Sequence, residues 1–473
     1  MRKILPVLAV LVASTPFASE PQAIHVHYDP KDREAGRYQY VPFQVPEGTT
    51  RIDLEYAYDR AGGTNVVDLG LFEPGSLDLG TPAYRGWSGG ERSRISVGVA
   101  SATPGYWPGP LPTGRWNVML GLYKVAPAGV DVEVKVALGS APEGPAPALP
   151  RPPPEPVRRG PAWYSGGLHL HTVHSDGTLT ARELARMAKA AGLEFIAITD
   201  HNNTTHQLEG VDDDGLLHIV GEEVTTPGGH ASVWGLRGLR AYVDFRVLPG
   251  DPRIADLVQA AQGQGALFSV NHPRSSCVGC AWEHAVPPGV VGIEVTNNHP
   301  EERAASIAVW DSLLRQGRRI TGIGSSDWHR GPLPIDAASV RVWAPELSTA
   351  AILEGIRDGR VVIMADGKTP PPDLATRAGK AAARVGGTLT VPSGTTYDVT
   401  VAVPAGEAAY DGARVDLFWN GEPAGSAELK TGGPARFTRT ATTTGYLRAH
   451  VERADGNPLA MTNPIYVTVG PAR

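Results

Sequence analysis

The middle third of this chain alternates amphipathic helical segments with short apolar segments, and this alternation constrains the fold most strongly. TARELARMAKAAG, with Thr180 and Glu183 at the spacing of a capping box, directly precedes the apolar segment EFIAITDH. The same order returns in IADLVQAAQGQG before ALFSVNHP, in AASIAVWDSLLRQG before RRITGIGSSDWH, and in STAAILEGIRDG before RVVIMA. This repetition predicts parallel strands joined by crossover helices, either as a barrel or as an open sheet.

Strand-like segments without helices lie on both sides of this region, and 473 residues are enough for two or three domains. Alternating segments such as TTRIDLEYAY and VDVEVKVAL predict an N-terminal β-sandwich at residues 24–140. Residues 141–162 contain too much proline for helix or sheet and predict a linker. The helix–strand domain then covers residues 163–370, and TYDVTVAVP and NPIYVTVG predict a second β-sandwich at residues 371–473.

The first residues are typical of a secretory signal, because Arg2 and Lys3 precede an apolar run from Ile4 to Ala13. A signal peptide at residues 1–23 predicts export, to the periplasm or the medium. The run is short for a membrane span, so the mature chain is expected to lack one, with an uncleaved anchor as the alternative. The net charge of −6 and the absence of a basic run argue against a nucleic-acid partner.

The two cysteines, Cys277 and Cys280, lie in the loop-like segment HPRSSCVGCAWEH. In an oxidising compartment this spacing favours a local disulfide that stiffens the loop. Half of a zinc site is the alternative, although no second CxxC motif completes it. A redox role ranks lower, because a thioredoxin-like context is missing.

Ionisable residues recur at the ends of the predicted strands. His169 and His171 are two apart in GLHLHTVHSDG, so the strand period points both imidazoles at one face. The other residues at such positions are Asp176, Asp200, His201, Glu222, Glu223, His272, Asp327 and His329. Because the carboxyl ends of parallel strands meet at one mouth, these side chains are expected to converge there.

Convergence of so many ionisable groups predicts a metal site. Eleven of the 14 histidines lie between His169 and His329, and each of them taken alone is better explained as a hydrogen-bonded core or surface residue. Burying them together costs several kcal/mol per unpaired charge unless a cation or a hydrogen-bond network compensates them. His174, His206, His218, His284 and His299 lack the repeated placement and are assigned to loops or to outer positions, whereas His25, His27 and His450 lie in the β-domains.

The ligand types limit the metal and the reaction. Imidazole and carboxylate without thiolate suit zinc, the first choice, with manganese or iron as alternatives. The number of ligands exceeds what one ion needs, which predicts two or three clustered divalent ions. Glu223 can bridge two ions, and a water shared between ions loses its proton near neutral pH, giving a hydroxide nucleophile for hydrolysis.

The segments HLHTVHSDG, ITDHN, GEEVTT, NHP and SSDWH resemble, in this order, the PHP (polymerase and histidinol phosphatase) family over residues 163–365. The exported layout with flanking β-domains is similar to the carbaryl-hydrolase-like metallohydrolases of that superfamily. The resemblance implies a distorted seven-stranded β/α barrel, flanked by the two β-sandwich domains, with a trinuclear metal centre.

The resemblance also implies a division of the ligands among three ions. His169, His171 and Asp327 hold one ion, Glu223 bridges it to a second ion completed by His230 and His272, and the third is held by Asp176, His201 and His329. His230 follows Glu223 after only seven residues, a shorter interval than the family pattern leads us to expect. Glu222 is then an outer or packing residue, and Asp200 orients a ligand instead of binding metal.

The catalytic residues predicted by this scheme are Glu223, Asp327 and Arg274. Arg274, two residues beyond His272, is placed to hold an anion, with a solvated loop arginine as the alternative. Trp282 and Trp328 can line an aromatic pocket or pack the rim. Phosphoester hydrolysis of a small molecule is the leading reaction, and carboxylic or carbamic (aryl) ester hydrolysis is the alternative. In a third possibility the chain is an exported adhesive or carbohydrate-binding protein with structural metals, in which Trp87, Trp107 and Trp116 contact sugar.

Overall fold

The computed structural model describes residues 21–211, 215–429 and 433–471. The predicted signal peptide lies almost entirely outside the described residues, and export stays a prediction. Two compact units are present: one comprises residues 21–75, 92–103 and 107–147, and the other comprises residues 76–91, 104–106 and the described chain from 148 onward. No described helix is long and apolar enough to cross a membrane. The chain is multi-domain and mostly β, with few helices.

The first unit consists mainly of antiparallel strands. In chain order the elements up to residue 139 are β1 (Gln22–Tyr28), α1 (Pro30–Ala35), β2 (Tyr38–Val45), β3 (Arg51–Tyr58), a 3₁₀ turn (Ala61–Gly63), β4 (Val66–Phe72), β5 (Tyr84–Gly89), β6 (Arg94–Gly98), β7 (Gly114–Lys124) and β8 (Val130–Gly139). One sheet has the order β1-β8-β3-β6, and in another β7 lies between β2 and β4. Alternating residues such as Ile52, Leu54 and Tyr56 are buried, as expected for strands with one face in a core. The residues of β5 belong to the second unit.

The helix–strand region of the second unit follows the predicted alternation. Its elements are β9 (Arg158–Gly167), α2 (Ala181–Ala190), β10 (Phe195–Ile198), a 3₁₀ turn (Thr205–Leu208), β11 (Leu217–Thr226), β12 (Gly229–Trp234), α3 (Ile254–Gly263), β13 (Leu267–Val270), β14 (Gly292–Thr296), α4 (Arg303–Arg315), β15 (Thr321–Gly324), β16 (Val340–Leu347), α5 (Thr349–Arg357) and β17 (Val361–Met364). The capping box of Thr180 and Glu183 is present at the start of α2, which confirms that prediction. Its apolar face, with Leu184 and Ala188, packs beside Ile196 and Ile198 of β10.

The strand order of this region is β15-β14-β13-β12-β11-β10-β9-β16-β17. Neighbours are parallel from β9 to β11 and from β13 to β15, whereas β12 and β16 are antiparallel to both of their neighbours. Parallel strands with crossover helices are therefore confirmed for part of the sheet. Among the described residues no strand ladder joins β15 back to β9, so this pairing does not show the closed seven-stranded barrel.

The C-terminal region returns to β structure. Its elements are β18 (Asp373–Ala378), β19 (Ala381–Arg384), β20 (Thr388–Pro392), β21 (Thr396–Ala402), a 3₁₀ turn (Ala408–Tyr410), β22 (Arg414–Trp419), β23 (Glu422–Glu428), β24 (Ala435–Thr440), β25 (Gly445–Glu452), β26 (Pro458–Thr462) and β27 (Ile465–Gly470). β26 pairs with β17, so the sheet of the helix–strand region continues into β26, β25, β22 and β23. One apolar core includes Val362 of β17 together with Leu417 and Val467, and this core joins the two regions within one unit.

Candidate metal centre

The nine predicted ligands lie together: eight are in the second half of a strand or in the segment that follows one, and His230 is at the amino end of the antiparallel strand β12. Their donor atoms form four overlapping groups, in each of which all donor atoms lie within 4.8 Å of one another. The groups are His171, Asp176, His201 and His329; His169, Glu223 and His272; His169, His171 and Asp327; and His201, Glu223 and His230. Because His169, His171, His201 and Glu223 each belong to two groups, the nine residues form one connected cluster.

His169 and His171 follow β9 directly, and their imidazoles lie on the same side with ring centroids 5.0 Å apart. Leu170 between them points the other way and packs in the core beside α2. Neighbouring residues therefore alternate between core and site, as the sequence predicts.

The hairpin of β11 and β12 explains how His230 reaches the cluster. Glu223 and Thr225 are two apart on β11 and so share a face, and His230 lies directly opposite Thr225 on β12. His230 therefore faces the same side as Glu223, with Nδ1 3.3 Å from the carboxylate. His230 follows Glu223 by only seven positions because the chain passes from one to the other through the turn of this hairpin.

Glu223 lies at the centre of the cluster and is almost completely buried, with 1% of its area exposed. Its carboxylate lies 3.1 Å from His169, 2.9 Å from His201 and 3.2 Å from His272. Burial alone would raise the pKa of Glu223, but the imidazoles of His169, His201 and His230 outweigh burial and hold this pKa well below its usual range. The carboxylate is therefore ionised and available as a ligand.

The pKa values of the imidazoles in the cluster are shifted in both directions. Burial, with repulsion from His329 and His201, lowers the pKa of His171 to about 4. Burial also opposes protonation of His272, but its contact with Glu223 raises the pKa to about 9. A divalent cation binds the neutral imidazole and displaces its proton. Protons and metal ions therefore compete for the imidazole nitrogens of a cluster of this composition.

Three observations fit a group of divalent cations. Asp176 Oδ1 and His272 Nδ1 are buried without hydrogen-bond partners, which a bound ion would explain for the carboxylate oxygen. The donors are imidazole and carboxylate, as divalent transition metals prefer. His272 and Asp327 have positive φ angles of 23° and 49°, a strained backbone conformation for non-glycine residues that is common at functional sites.

Asp200 and Glu222 do not join the donor groups. Asp200 accepts hydrogen bonds from the Thr172 amide (2.8 Å), the Ser175 hydroxyl (2.8 Å) and His206 Nδ1 (3.1 Å), and thereby fixes the turn that carries Asp176. Glu222 points away from the cluster and accepts from the Val243 amide at 2.7 Å.

The remaining histidines lie outside the four groups. His174 contacts Thr205 and Glu209, His206 contacts Asp200, His218 packs near His206, His284 contacts Thr226, and His299 is exposed beside Glu301. In the β regions, His25 is exposed, His27 contacts Asp131, and His450 contacts Arg448.

The predicted anion-binding residue and the predicted pocket-lining residues differ in their exposure. Arg274 is exposed. Trp282 is buried against Phe268 and His284, and Trp328 is buried in the core beside α2 while its indole donates to the Leu333 carbonyl. Cys277 and Cys280 form a disulfide, as predicted.

Sequence reasoning missed Glu294 of β14. Its Oε2 lies 2.9 Å from His169 Nδ1, and both residues are 1% exposed. A carboxylate behind a metal-binding imidazole fixes the ring and its tautomer. The signal was a single acidic residue inside the otherwise apolar strand VVGIEVT.

A second missed feature is an arm formed by residues 76–91 and 104–106. The Tyr84 hydroxyl donates to the Asn202 carbonyl at 2.6 Å, and the Gly105 amide donates to Thr205 Oγ1 at 3.0 Å. Trp87 packs edge-on against His201, with ring centroids 6.2 Å apart. The arm thus covers one side of the candidate metal centre with an aromatic ring.

Comparisons with known proteins give distant similarities. An uncharacterized protein of Methanocaldococcus jannaschii is 24% identical over 165 residues, which are 32% of this chain and 91% of that protein. A two-domain protein of Bacteroides vulgatus containing a predicted PHP-like metal-dependent phosphoesterase is 18% identical, with a TM-score of 0.37, over 68% of this chain and 100% of its own. An amidohydrolase of Chromobacterium violaceum is 18% identical, with a TM-score of 0.27, over 36% of this chain and 89% of its own.

The family comparison concerns the segment that holds the first ligands of the cluster. Residues 167–225 match the PHP domain family. This segment includes His169, His171, Asp176, His201 and Glu223. The chain therefore contains a PHP domain.

Proposed function

We propose that the chain is a metal-dependent hydrolase that cleaves a phosphoester of a small molecule at the cluster around Glu223. The observation that carries this proposal is the sharing of donors: four groups of donor atoms overlap at a buried carboxylate and its neighbouring imidazoles. Two or three divalent ions fit such a cluster, with zinc the first choice and manganese or iron the alternatives. When bound, they would acidify water and attract the oxygens of a phosphoester.

The exposed side of the cluster indicates where substrate enters. The side chains of Asp176 and His329 are 33% and 26% exposed, and that of Asp327 is 18% exposed, whereas Glu223 is 1% exposed. We infer that Glu223 holds the cluster together from inside, whereas Asp327 faces the substrate. In the proposed reaction a water attacks phosphorus and its proton passes to Asp327. The bond between phosphorus and the alcohol oxygen breaks, and Asp327 returns the proton to that oxygen, so that the alcohol leaves.

A carboxylic or carbamic ester is the second candidate substrate, supported by two observations. Arg274, the residue predicted to hold an anionic substrate, is exposed, which weakens the argument for a phosphate. The ring beside the cluster is the indole of Trp87, which is suited to an apolar group. A single polarised carbonyl also needs fewer cations than a phosphate.

The test begins with the metal content of the purified protein, measured by mass spectrometry. The same sample is assayed with p-nitrophenyl phosphate and p-nitrophenyl acetate, with and without chelator. Two or three ions per chain and chelator-sensitive cleavage of one ester would support the proposal and select the substrate class. Less than one ion after reconstitution, with neither ester cleaved, would instead favour the exported binding or adhesive protein.

Glu223→Ala tests the central carboxylate in the same two measurements. Loss of metal and activity together is expected, because five imidazoles of the cluster lie within 3.5 Å of the carboxylate. Glu428→Ala is the matched control, since Glu428 is exposed on β23. Full metal content and turnover in the Glu223 variant would contradict the proposal.

A further inference from the structure

A further group of metal-ligand side chains lies in the segment NNHPEER, which joins β14 to α4. It consists of His299, Glu301 and Glu302, each of which offers one donor atom, and the three donor atoms lie within 4.8 Å of one another. The group shares no residue with the four groups of the candidate metal centre. The hydrolytic reaction proposed above does not use it.

A tight turn of the backbone brings the three side chains together. The Glu302 amide donates to the His299 carbonyl at 3.1 Å. His299 Nδ1 lies 3.2 Å from Glu301 Oε1, and the side chains of both residues are more than half exposed. An ion from the solvent can therefore reach the imidazole and the first carboxylate directly.

Glu302 is the buried member of the group, with 9% of its area exposed. Its Oε1 accepts hydrogen bonds from the Ser276 amide at 2.6 Å and from the Ser276 hydroxyl at 2.9 Å. Its Oε2 is also buried but has no hydrogen-bond partner among the described residues. A buried carboxylate oxygen without a partner is costly and therefore rare in folded proteins. Glu302 thus has one oxygen left to bind a further group.

The position of the group before a helix explains only part of this arrangement. A helix N-terminus attracts negative charge, so carboxylates such as Glu301 and Glu302 are favourable before α4. This attraction does not give Glu302 Oε2 a partner, and it does not require an imidazole beside the two carboxylates. A cation held by the three donor atoms accounts for both observations.

We propose that His299, Glu301 and Glu302 bind one divalent transition-metal ion, with zinc as the first choice. One imidazole and two carboxylates without thiolate suit zinc or manganese, whereas calcium and magnesium prefer oxygen ligands alone. The ion is additional to those of the cluster around Glu223. The proposal does not depend on the hydrolase function.

The ion would also anchor the disulfide loop. Ser276, which donates to Glu302, lies directly before the disulfide-bonded pair Cys277 and Cys280. His272, a predicted ligand of the cluster, lies four residues before Ser276. An ion that fixes Glu302 therefore restrains a loop that begins at the candidate metal centre.

The test compares the zinc content of variants of the full chain, measured by mass spectrometry after dialysis against micromolar zinc. Excess magnesium fills weak carboxylate sites, and reductant is left out so that the disulfide stays closed. Glu302→Gln keeps an oxygen for Ser276 but replaces the free oxygen by an amide nitrogen, which is a poor ligand. Because the ions of the cluster are common to all samples, the variant should contain one zinc ion per chain fewer than the wild type.

His299→Ala should lose the same single ion, and the exposure of His299 makes misfolding of this variant improbable. His25→Ala is the matched control, since His25 is an exposed histidine that lies 3.5 Å from Glu133. It should keep the zinc content of the wild type. Equal zinc content in the wild type, Glu302→Gln and His299→Ala would overturn the proposal.

Hydrogen exchange of residues 273–281 tests the anchoring of the loop. In zinc-loaded samples this segment should exchange faster in His299→Ala than in the wild type, whereas His25→Ala should match the wild type. The comparison of zinc-loaded samples separates this ion from the ions bound by His272. Loss of one ion without faster exchange would refute the anchoring of the loop.

Discussion

Replacing Glu294 by glutamine removes one negative charge from behind His169 and leaves the shape of the side chain nearly unchanged. Glu294 Oε2 and His169 Nδ1 are 2.9 Å apart, and both side chains are buried. A hydrogen bond to an ionised acceptor contributes about 1.5–3 kcal/mol, against about 0.5–1.5 kcal/mol for a neutral acceptor. The difference of roughly 1.4 kcal/mol corresponds to about tenfold weaker metal binding, at the lower end of the effect expected for a carboxylate behind a metal-bound imidazole.

Metal affinity is measured by competition with a chromophoric chelator, so the result does not depend on the identity of the substrate. Glu222→Gln is the matched control, because Glu222 is also fully buried and faces Val243 instead of the cluster. Burial raises the pKa of Glu222 well above its usual range, so a neutral amide resembles its native state. If Glu294→Gln binds metal as tightly as Glu222→Gln and the wild type, the proposed role of Glu294 is wrong.

Three further predictions concern stability and are checked by urea unfolding. Arg448→Met should destabilise the chain by about 3–5 kcal/mol, because the buried Asp311 loses its ion-pair partner and keeps only the Tyr446 hydroxyl. A second change, Asp311→Leu, should recover most of the loss. Burial lowers the pKa of His218 from its ordinary value of 6.5 to about 3, so only the unfolded chain gains this proton as the pH falls through that window. Lowering the pH from 6.5 to 5 should therefore cost the wild type about 1.6 kcal/mol more than His218→Gln. Gly229→Ala should cost more than about 1 kcal/mol, because φ is +116° and the new Cβ would lie 2.6 Å from Trp282 Cα; an unchanged midpoint would refute the steric argument.

The helix–strand alternation was predictable because it depends on local patterns. The helices predicted from TARELARMAKAAG and STAAILEGIRDG are α2 and α5, and each is followed by the expected buried strand. The antiparallel insertions of β12 and β16 were not predicted, since the direction of a strand depends on its connections and leaves no trace in its own apolar pattern.

The candidate site was largely predictable for the same reason. Strand ends identified His169, His171 and Asp327 as neighbours before any geometry was known. Glu294 was missed because it lies within a strand instead of after one. Trp87 was missed because it is 114 residues away along the chain from His201, the ring of the cluster that it contacts. Long-range packing of this kind has no local sequence signal.

The arm of residues 76–91 and 104–106 limits which domain recombinations this protein can undergo. It is encoded within the N-terminal region, before the proline-rich segment, yet Tyr84 and Trp87 contact Asn202 and His201. A gene fusion that joined the helix–strand region to a different N-terminal domain at that proline-rich segment would give a candidate metal centre without this aromatic cover. The two regions are therefore expected to be inherited together, and changes in Trp87 and in the residues around His201 to be correlated over evolutionary time.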